Sequence, residues 1–217
     1  MQVSQIVFPY SESERHRIII FGCGGHARSV ANAIREIDDQ TEILFVDNNV
    51  KENEIILGFR TEQGYDIEEN DKYIIAVGDN MVRSRLYHKI RKAGRGCCIS
   101  VISVRALIGK EADVGNGTFV AHNAYLGPQS KAGIDTIINT GSIIEHEAVI
   151  GNHTHIAPNV TVCGRSKIGN YVFCGAGSTI IDKVNICDGV TVGAGAVVVK
   201  DITEPGIYVG VPARKIM

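Results

Sequence analysis

From residue 108 to residue 198 one apolar side chain returns every six residues, at Ile108, Val114, Val120, Leu126, Ala132, Ile138, Ile144, Ile150, Ile156, Val162, Ile168, Cys174, Ile180, Ile186, Val192 and Val198. All but Leu126, Ala132 and Cys174 are Ile or Val. Four residues after each stands a small or β-branched residue, from Ala112, Thr118, Ala124 and Ser130 to Val184, Val190 and Ala196. The position directly after the aliphatic is often glycine, as at Gly109, Gly115, Gly127, Gly133, Gly151, Gly169, Gly175 and Gly193. A fixed period marks a repeat architecture. Six residues match neither the 3.6 period of a helix nor the alternation of a lone hairpin. They suit a short β-segment plus a corner, with the aliphatic pointing inward and glycine easing a tight bend.

The stretch resembles the left-handed parallel β-helix of the hexapeptide-repeat transferases, in which three hexapeptides make one triangular coil. Ninety-six residues in register (16 × 6) then make a little over five coils.

Upstream the pattern changes. Arg17-Ile18-Ile19-Ile20-Phe21 reads as a buried strand and runs into Gly22-Cys23-Gly24-Gly25-His26-Ala27, after which Ala27, Val30, Ala31, Ile34 and Ile37 fall at helical spacing. A second strand, 43–46, ends at Asp47, twenty residues beyond Ala27. Strand, glycine turn, helix, strand and acid is the order of a nucleotide-binding βαβ unit: the glycines admit a diphosphate, and the helix start offers it free N–H groups. A third strand, 73–77, stops at Gly78, Asp79 or Asn80 can cap the next helix, and Val82, Leu86 and Ile90 read as its inner face. A fourth strand, 97–102, leads into the repeats. The chain thus reads as α/β: a Rossmann-like domain over 16–103 with a parallel sheet of about four strands, then a β-helix over 104–204. Residues 1–15 read as a flexible leader and 205–217 as a tail.

Composition narrows the function. Hydrophobic residues make up 44% and the net charge is −2, enough for a core and unsuited to nucleic acid. Met1 to Arg17 holds no basic segment followed by an apolar run, and nowhere do about 20 apolar residues follow one another to span a bilayer. Six cysteines show no metal-type spacing, so the expectation is a reduced, cytoplasmic protein with no metal. Cys174 reads as a small buried hydrophobe and Cys163 as structural.

His146 lies in Asn139-Thr140-Gly141-Ser142-Ile143-Ile144-Glu145-His146-Glu147, two residues after an inward aliphatic, so it projects outward near a corner. An outward histidine flanked by carboxylates suits a general base. The end of the chain carries Gly210-Val211-Pro212-Ala213-Arg214-Lys215, which is similar to the terminal motif that lies near coenzyme A in hexapeptide acyltransferases.

Taken together, the Gly-Gly-His turn, the small sheet and a solenoid bearing Asn-Thr…Glu-His-Glu resemble the sialic-acid O-acetyltransferase-like sugar acyltransferases. Within them the likeness is to bacterial N-acetyltransferases of UDP-linked 4-amino sugars. The resemblance implies that His146 accepts the proton, Glu147 raises its basicity and Asn139 positions the reacting groups. Gly24, Gly25, His26, Asp47, Asn48 and Gly78 would hold the nucleotide sugar, UDP being the expected handle. His155 and main chain near Ala176 and Ala194 would contact the co-substrate acetyl-CoA, with Lys200 and Arg214 at its phosphates. The family is usually trimeric, with active sites between neighbouring solenoids. Ala27 stands where relatives often read glycine, and Asn48 where some have a second Asp. Rival readings are an O-acetyltransferase for a sugar hydroxyl, a γ-carbonic-anhydrase-like metalloenzyme, and a non-catalytic nucleotide-sugar-binding scaffold. The metalloenzyme needs a second histidine two coils after His122, where Pro158 stands.

Overall fold

Consecutive isoleucines bury both faces of a strand only when a sheet is covered on both sides. In the structure, a computed structural model that describes residues 17–216, Ile18, Ile19 and Ile20 are wholly buried in the central strand β1 (Arg17–Phe21). The leader expected over 1–15 lies outside the described residues. α1 (Gly25–Ile37) crosses to β2 (Glu42–Val46), which pairs parallel with β1. β3 (Ile55–Ile56) and β4 (Phe59–Glu62) form a hairpin on the outer edge of β2. β5 (Lys72–Ile75) pairs with the other edge of β1, and β6 (Cys97–Cys98) follows it after α2 (Asn80–Ala93). The sheet therefore has six strands in the order β3-β4-β2-β1-β5-β6, against the expected four. The missed hairpin joins a two-residue edge strand, β3, to the partly exposed Phe-Arg-Thr-Glu of β4, and neither has an apolar alternation to betray it.

Asp79 caps α2, its Oδ1 accepting from the Val82 amide at 2.8 Å, and Gly94 ends it at φ 71. The inner face of α2 differs from the expectation. Val82 is half exposed, and the buried residues are Arg83, Ser84, Tyr87 and Ile90. The helix docks on a polar turn of the solenoid, so a guanidinium displaces the aliphatic ridge. The expected strand 97–102 is likewise two pieces: β6 stays with the N-terminal sheet, while Val101–Ile102 pairs with Phe119–Val120 as the first rung of the solenoid.

The solenoid is the expected left-handed parallel β-helix, a three-sided prism. Its first face stacks strands at 101–102, 119–120, 137–138, 155–156, 173–174 and 190–192; its second, those at 107–108 through 197–198; its third, those at 113–114 through 185–186. Every repeat aliphatic from Val114 to Val198 is buried, and so are the small residues from Thr118 to Ala196, which together form one core. Thr118, Thr136 and Thr154, one coil apart, each donate to the carbonyl of a glycine in the next coil, Gly133, Gly151 and Gly169, at 2.7–3.1 Å. The hydroxyls thereby satisfy corner carbonyls that a tightly wound chain would otherwise bury unpaired. Gly206–Val209 adds to the first face beside Val190–Val192, and Arg214–Lys215 returns antiparallel to it.

The repeat glycines serve close stacking rather than the bend. Left-handed backbone falls three residues after each aliphatic from Ile108 to Val192, as at Glu111, Asn123, Glu147 and Arg165, and mostly on side chains other than glycine. Directly after the aliphatic, a Cβ on Gly127 would come 2.6 Å from the His146 amide nitrogen and one on Gly151 2.5 Å from Gly169 backbone. At these two glycines the next coil leaves no room for a Cβ.

What the faces show outward differs. The first presents Val101, Phe119, Ile137, His155 and Phe173, and α1 with the N-terminal sheet covers its upper part: Phe119 and Ile137 share a buried cluster with Ala27, Val30 and Ala31. The second presents Leu107, Tyr125, Ile143, Thr161, Thr179 and Val197, with Leu107 68% exposed. The third presents Asp113, Lys131, Val149, Lys167 and Asn185.

Candidate active site

In an open parallel sheet the ligand crevice opens at the carboxyl ends of the two strands whose connections leave in opposite directions. Here those strands are β1 and β5, so the turn 22–25 and the turn 77–78 flank the crevice. Gly22 is bound by geometry: its φ is +118 and a Cβ would lie 2.6 Å from the Ala76 carbonyl oxygen. Gly24, Gly25 and Gly78 have nothing near an added Cβ, leaving open backbone at the start of α1. Asp47 braces this floor. Its Oδ2 accepts from the Cys23 amide at 3.2 Å and its Oδ1 from the Asn49 amide at 2.9 Å, while Asn48 beside it is exposed.

Gly78 is also where the two domains meet. Its carbonyl accepts from His155 Nδ1 at 3.1 Å, which places the proton on Nδ1, and His155 Nε2 then accepts from Asn139 Nδ2 at 3.2 Å. The His26 ring lies 6.3 Å from that of His155 and edge-on to Phe119 at 5.3 Å; Phe173 meets His155 edge-on at 5.2 Å. Burial pushes His26 down to about 3, helped by His155 and Arg83. Burial likewise brings His155 down to about 4, against the Gly78 hydrogen bond. Both rings are neutral near pH 7, so they can orient a polar group but are poor proton acceptors.

Arg83, 1% exposed, ties this junction together. Its Nε donates to the Asp135 carbonyl at 2.9 Å, Nη1 to the Val77 and Gly78 carbonyls at 3.0 and 3.3 Å, and Nη2 to Asn80 Oδ1 at 2.9 Å. Asp135 Oδ2 stands 3.4 Å from Arg83 Nε and 2.7 Å from Nδ1 of the buried His153. Burial draws both ions toward neutrality, Asp135 upward and Arg83 downward, and their pairing opposes this. The sequence reading passed over Arg83 and Asp135, because a charged residue on a helix or a solenoid corner reads as solvated surface.

His146 and Glu147 sit at a different corner, where the second face turns into the third. The side chain of His146 is 46% exposed and its Nδ1 is 3.1 Å from Glu147 Oε2. A carboxylate only accepts, so Nδ1 carries the proton and Nε2 keeps its lone pair. Nearby thiols are unprepared for attack: Cys163 is raised by burial, Glu145 and Asp182. Lys200 follows two coils beyond Gly164 on this corner and is exposed, whereas the exposed Ala176 and Ala194 stack on the corner between the first and second faces. Arg214, exposed in the terminal hairpin, donates to the Ala213 carbonyl.

The site residues therefore form two groups. Gly24, Gly25, His26, Asp47, Asn48, Gly78, Asn139 and His155 gather at the domain junction, and His146 with Glu147 stands across the second face. His122 is committed elsewhere, its Nε2 2.9 Å from Glu36 Oε2. No group of three His, Cys, Asp or Glu among the described residues is placed to hold a metal ion, and no described helix is long and apolar enough to cross a membrane.

Residues 17–90 match the family model of the PglD N-terminal domain. Over 94% of this chain and 100% of the other, the structure is similar to the acetyltransferase domain of PglB from Neisseria gonorrhoeae FA1090, with 26% identity and a TM-score of 0.86. The complex of that domain with acetyl coenzyme A matches with 25% identity and a TM-score of 0.86, again over 94% and 100%. PerB from Caulobacter crescentus, in complex with CoA and GDP-perosamine, matches with 29% identity and a TM-score of 0.79 over 91% of this chain and 96% of that one. Residues 17–90 are thus similar to the PglD N-terminal domain, and the described chain as a whole shares its two-part fold with the acetyltransferase domain of PglB.

Proposed function

We propose that the protein is an acetyl-CoA-dependent N-acetyltransferase acting on a nucleotide-linked amino sugar, with His146 as general base. The observation that carries this is the paired state of His146: an exposed imidazole held at Nδ1 by Glu147, with the Nε2 lone pair free. The amine of the sugar attacks the thioester carbonyl, forming a C–N bond and breaking the C–S bond; Nε2 takes the amine proton and returns it to the departing sulfur, so that CoA leaves as its thiol and His146 is regenerated. A main-chain N–H stabilises the oxyanion. With the thiols protonated, no acyl-enzyme is needed, and direct transfer follows.

The crevice between β1 and β5 suits the diphosphate handle, and the similarity to proteins described with acetyl coenzyme A, and with CoA plus GDP-perosamine, supports both substrates. Ala176 and Ala194, small and exposed one coil apart, leave an uncrowded lane for the thioester arm. His146 and the junction lie on opposite edges of the second face, which bears the exposed Leu107 and Ile143. We assign that face to a second and third copy of the chain, so that His146 of one subunit works beside the junction of its neighbour. UDP is the nucleotide we favour.

The test is release of free thiol from acetyl-CoA on addition of UDP-, dTDP- and GDP-linked 4-amino sugars. His146→Ala should keep acetyl-CoA binding and lose turnover by roughly 10²–10⁴-fold. Unchanged turnover in that variant removes His146 from the mechanism, and no thiol release with any sugar removes the reading.

A further inference from the structure

The position two residues after each inward aliphatic is an outward corner, and along the repeats it reads Lys110, Asn116, His122, Pro128, Ile134, Thr140, His146, Asn152, Pro158, Gly164, Asn170, Ala176, Asp182, Asp188, Ala194 and Lys200. Gly164 is the one glycine among these sixteen positions. Backbone conformation does not demand it: Gly164 has no positive φ, and side chains of every kind stand at the equivalent corners. Coil stacking does not demand it either. The repeat glycines that follow the aliphatic abut backbone except at Gly193, whereas the three atoms nearest a Cβ on Gly164 all belong to side chains: His146 Cε1 and Nε2, both at 2.6 Å, and Asp182 Oδ1 at 3.1 Å.

Gly164 lies one coil beyond His146 on the same corner, and its surface is covered although the imidazole itself is largely exposed. The ring is thus fixed at two points: Glu147 holds Nδ1 at 3.1 Å, and the Nε2 edge rests against the bare Cα of Gly164. Asp182 closes the far side, its carboxylate gripped by Arg165 through two hydrogen bonds of 3.1 Å. A methyl group at 164 would occupy the resting place of Nε2. Because the ring is at the exposed end of a flexible side chain, it can swing away without unfolding the coil.

We propose that Gly164 is a positioning residue for the candidate base: by lacking a side chain it seats the His146 imidazole so that Nε2 faces the acceptor at a fixed place. The proposal rests on the reading of His146 given above. Misplacing a reacting group by about 1 Å is enough for a loss on the order of 10²-fold.

The experiment is a Gly164→Ala, His146→Ala double-mutant cycle, followed by thermal unfolding and by thiol release from acetyl-CoA with the nucleotide amino sugar that the unsubstituted protein turns over best. Gly164→Ala should fold, keep its KM for acetyl-CoA within about threefold and lose kcat by on the order of 10²-fold. Adding it to His146→Ala should change neither residual turnover nor Tm. Turnover of Gly164→Ala within about threefold of the unsubstituted protein overturns the proposal. Should Gly164→Ala fail to fold, recovery of folding in the double variant supports the contact and its persistence as unfolded overturns it. Activity retained in His146→Ala would instead sink the mechanism, and the stability cycle, which needs no substrate, separates the two failures.

Discussion

Two outward faces of the prism are apolar, and they have different fates within the chain. The first lies under the N-terminal domain, where Phe119 and Ile137 are about 1% exposed against α1 and the sheet. The second carries Leu107, Tyr125 and Ile143, of which Leu107 and Ile143 are exposed among the described residues. The third, with Asp113, Lys131 and Lys167, is made for water. Because three faces take turns along the chain, neighbours on one face are eighteen residues apart, and each face can be given its own chemistry without disturbing the interior. One face joins domains, one we assign to assembly, and the candidate catalytic corner stands at the edge of the latter.

The sharpest break in this comparison comes from a charge on each face. Ile137→Asp buries a carboxylate where no partner waits, and should cost more than about 4 kcal/mol, detected as loss of the cooperative unfolding transition. Full stability in that variant would mean that the N-terminal domain does not rest on this face.

A smaller effect should come from acid, acting on the same covered face. His155 and His26 take up protons near pH 6.5 when unfolded but only near 4 and 3 when folded. Between these values the unfolded chain binds more protons, so stability falls as pH drops from about 7, the His155 part ending near 4 and the His26 part near 3. At about 1.4 kcal/mol per unit, His155 alone accounts for roughly 3 kcal/mol of that slope. His155→Gln should flatten the dependence of Tm on pH; an unchanged slope would show that the ring is not held neutral.

Smallest in stability, and most telling about assembly, is Ile143→Asp on the second face. Its side chain is 36% exposed, so the folded subunit should lose no more than about 0.5 kcal/mol. Sedimentation velocity should nevertheless show dissociation to monomers and thiol release should fall. A variant that stays assembled would move the subunit contact to another face.

Legibility followed interaction range. The six-residue period identified the solenoid because each aliphatic occupies the same environment, so the pattern repeats wherever the physics does. The βαβ order located Gly24, Gly25 and Gly78 for a similar reason, since strand ends carry the turns that form the crevice. His146 stood out as a candidate from its corner offset and flanking acids. Gly164 was equally readable as an odd glycine in the corner series, but its meaning needed the imidazole one coil away.

What the amino-acid order determined by itself was local and periodic: which side chains face in, where the chain turns, and that a nucleotide-type turn precedes a prism. Only the tertiary structure decided that Arg83 faces the core of the junction, that His155 gives its proton to the carbonyl of Gly78, and that His146 lies on a bare Cα. Those relations join residues 18 to 77 positions apart, and no local pattern encodes them. They arise when a buried donor, brought down on a distant surface, must find the acceptor that happens to be there.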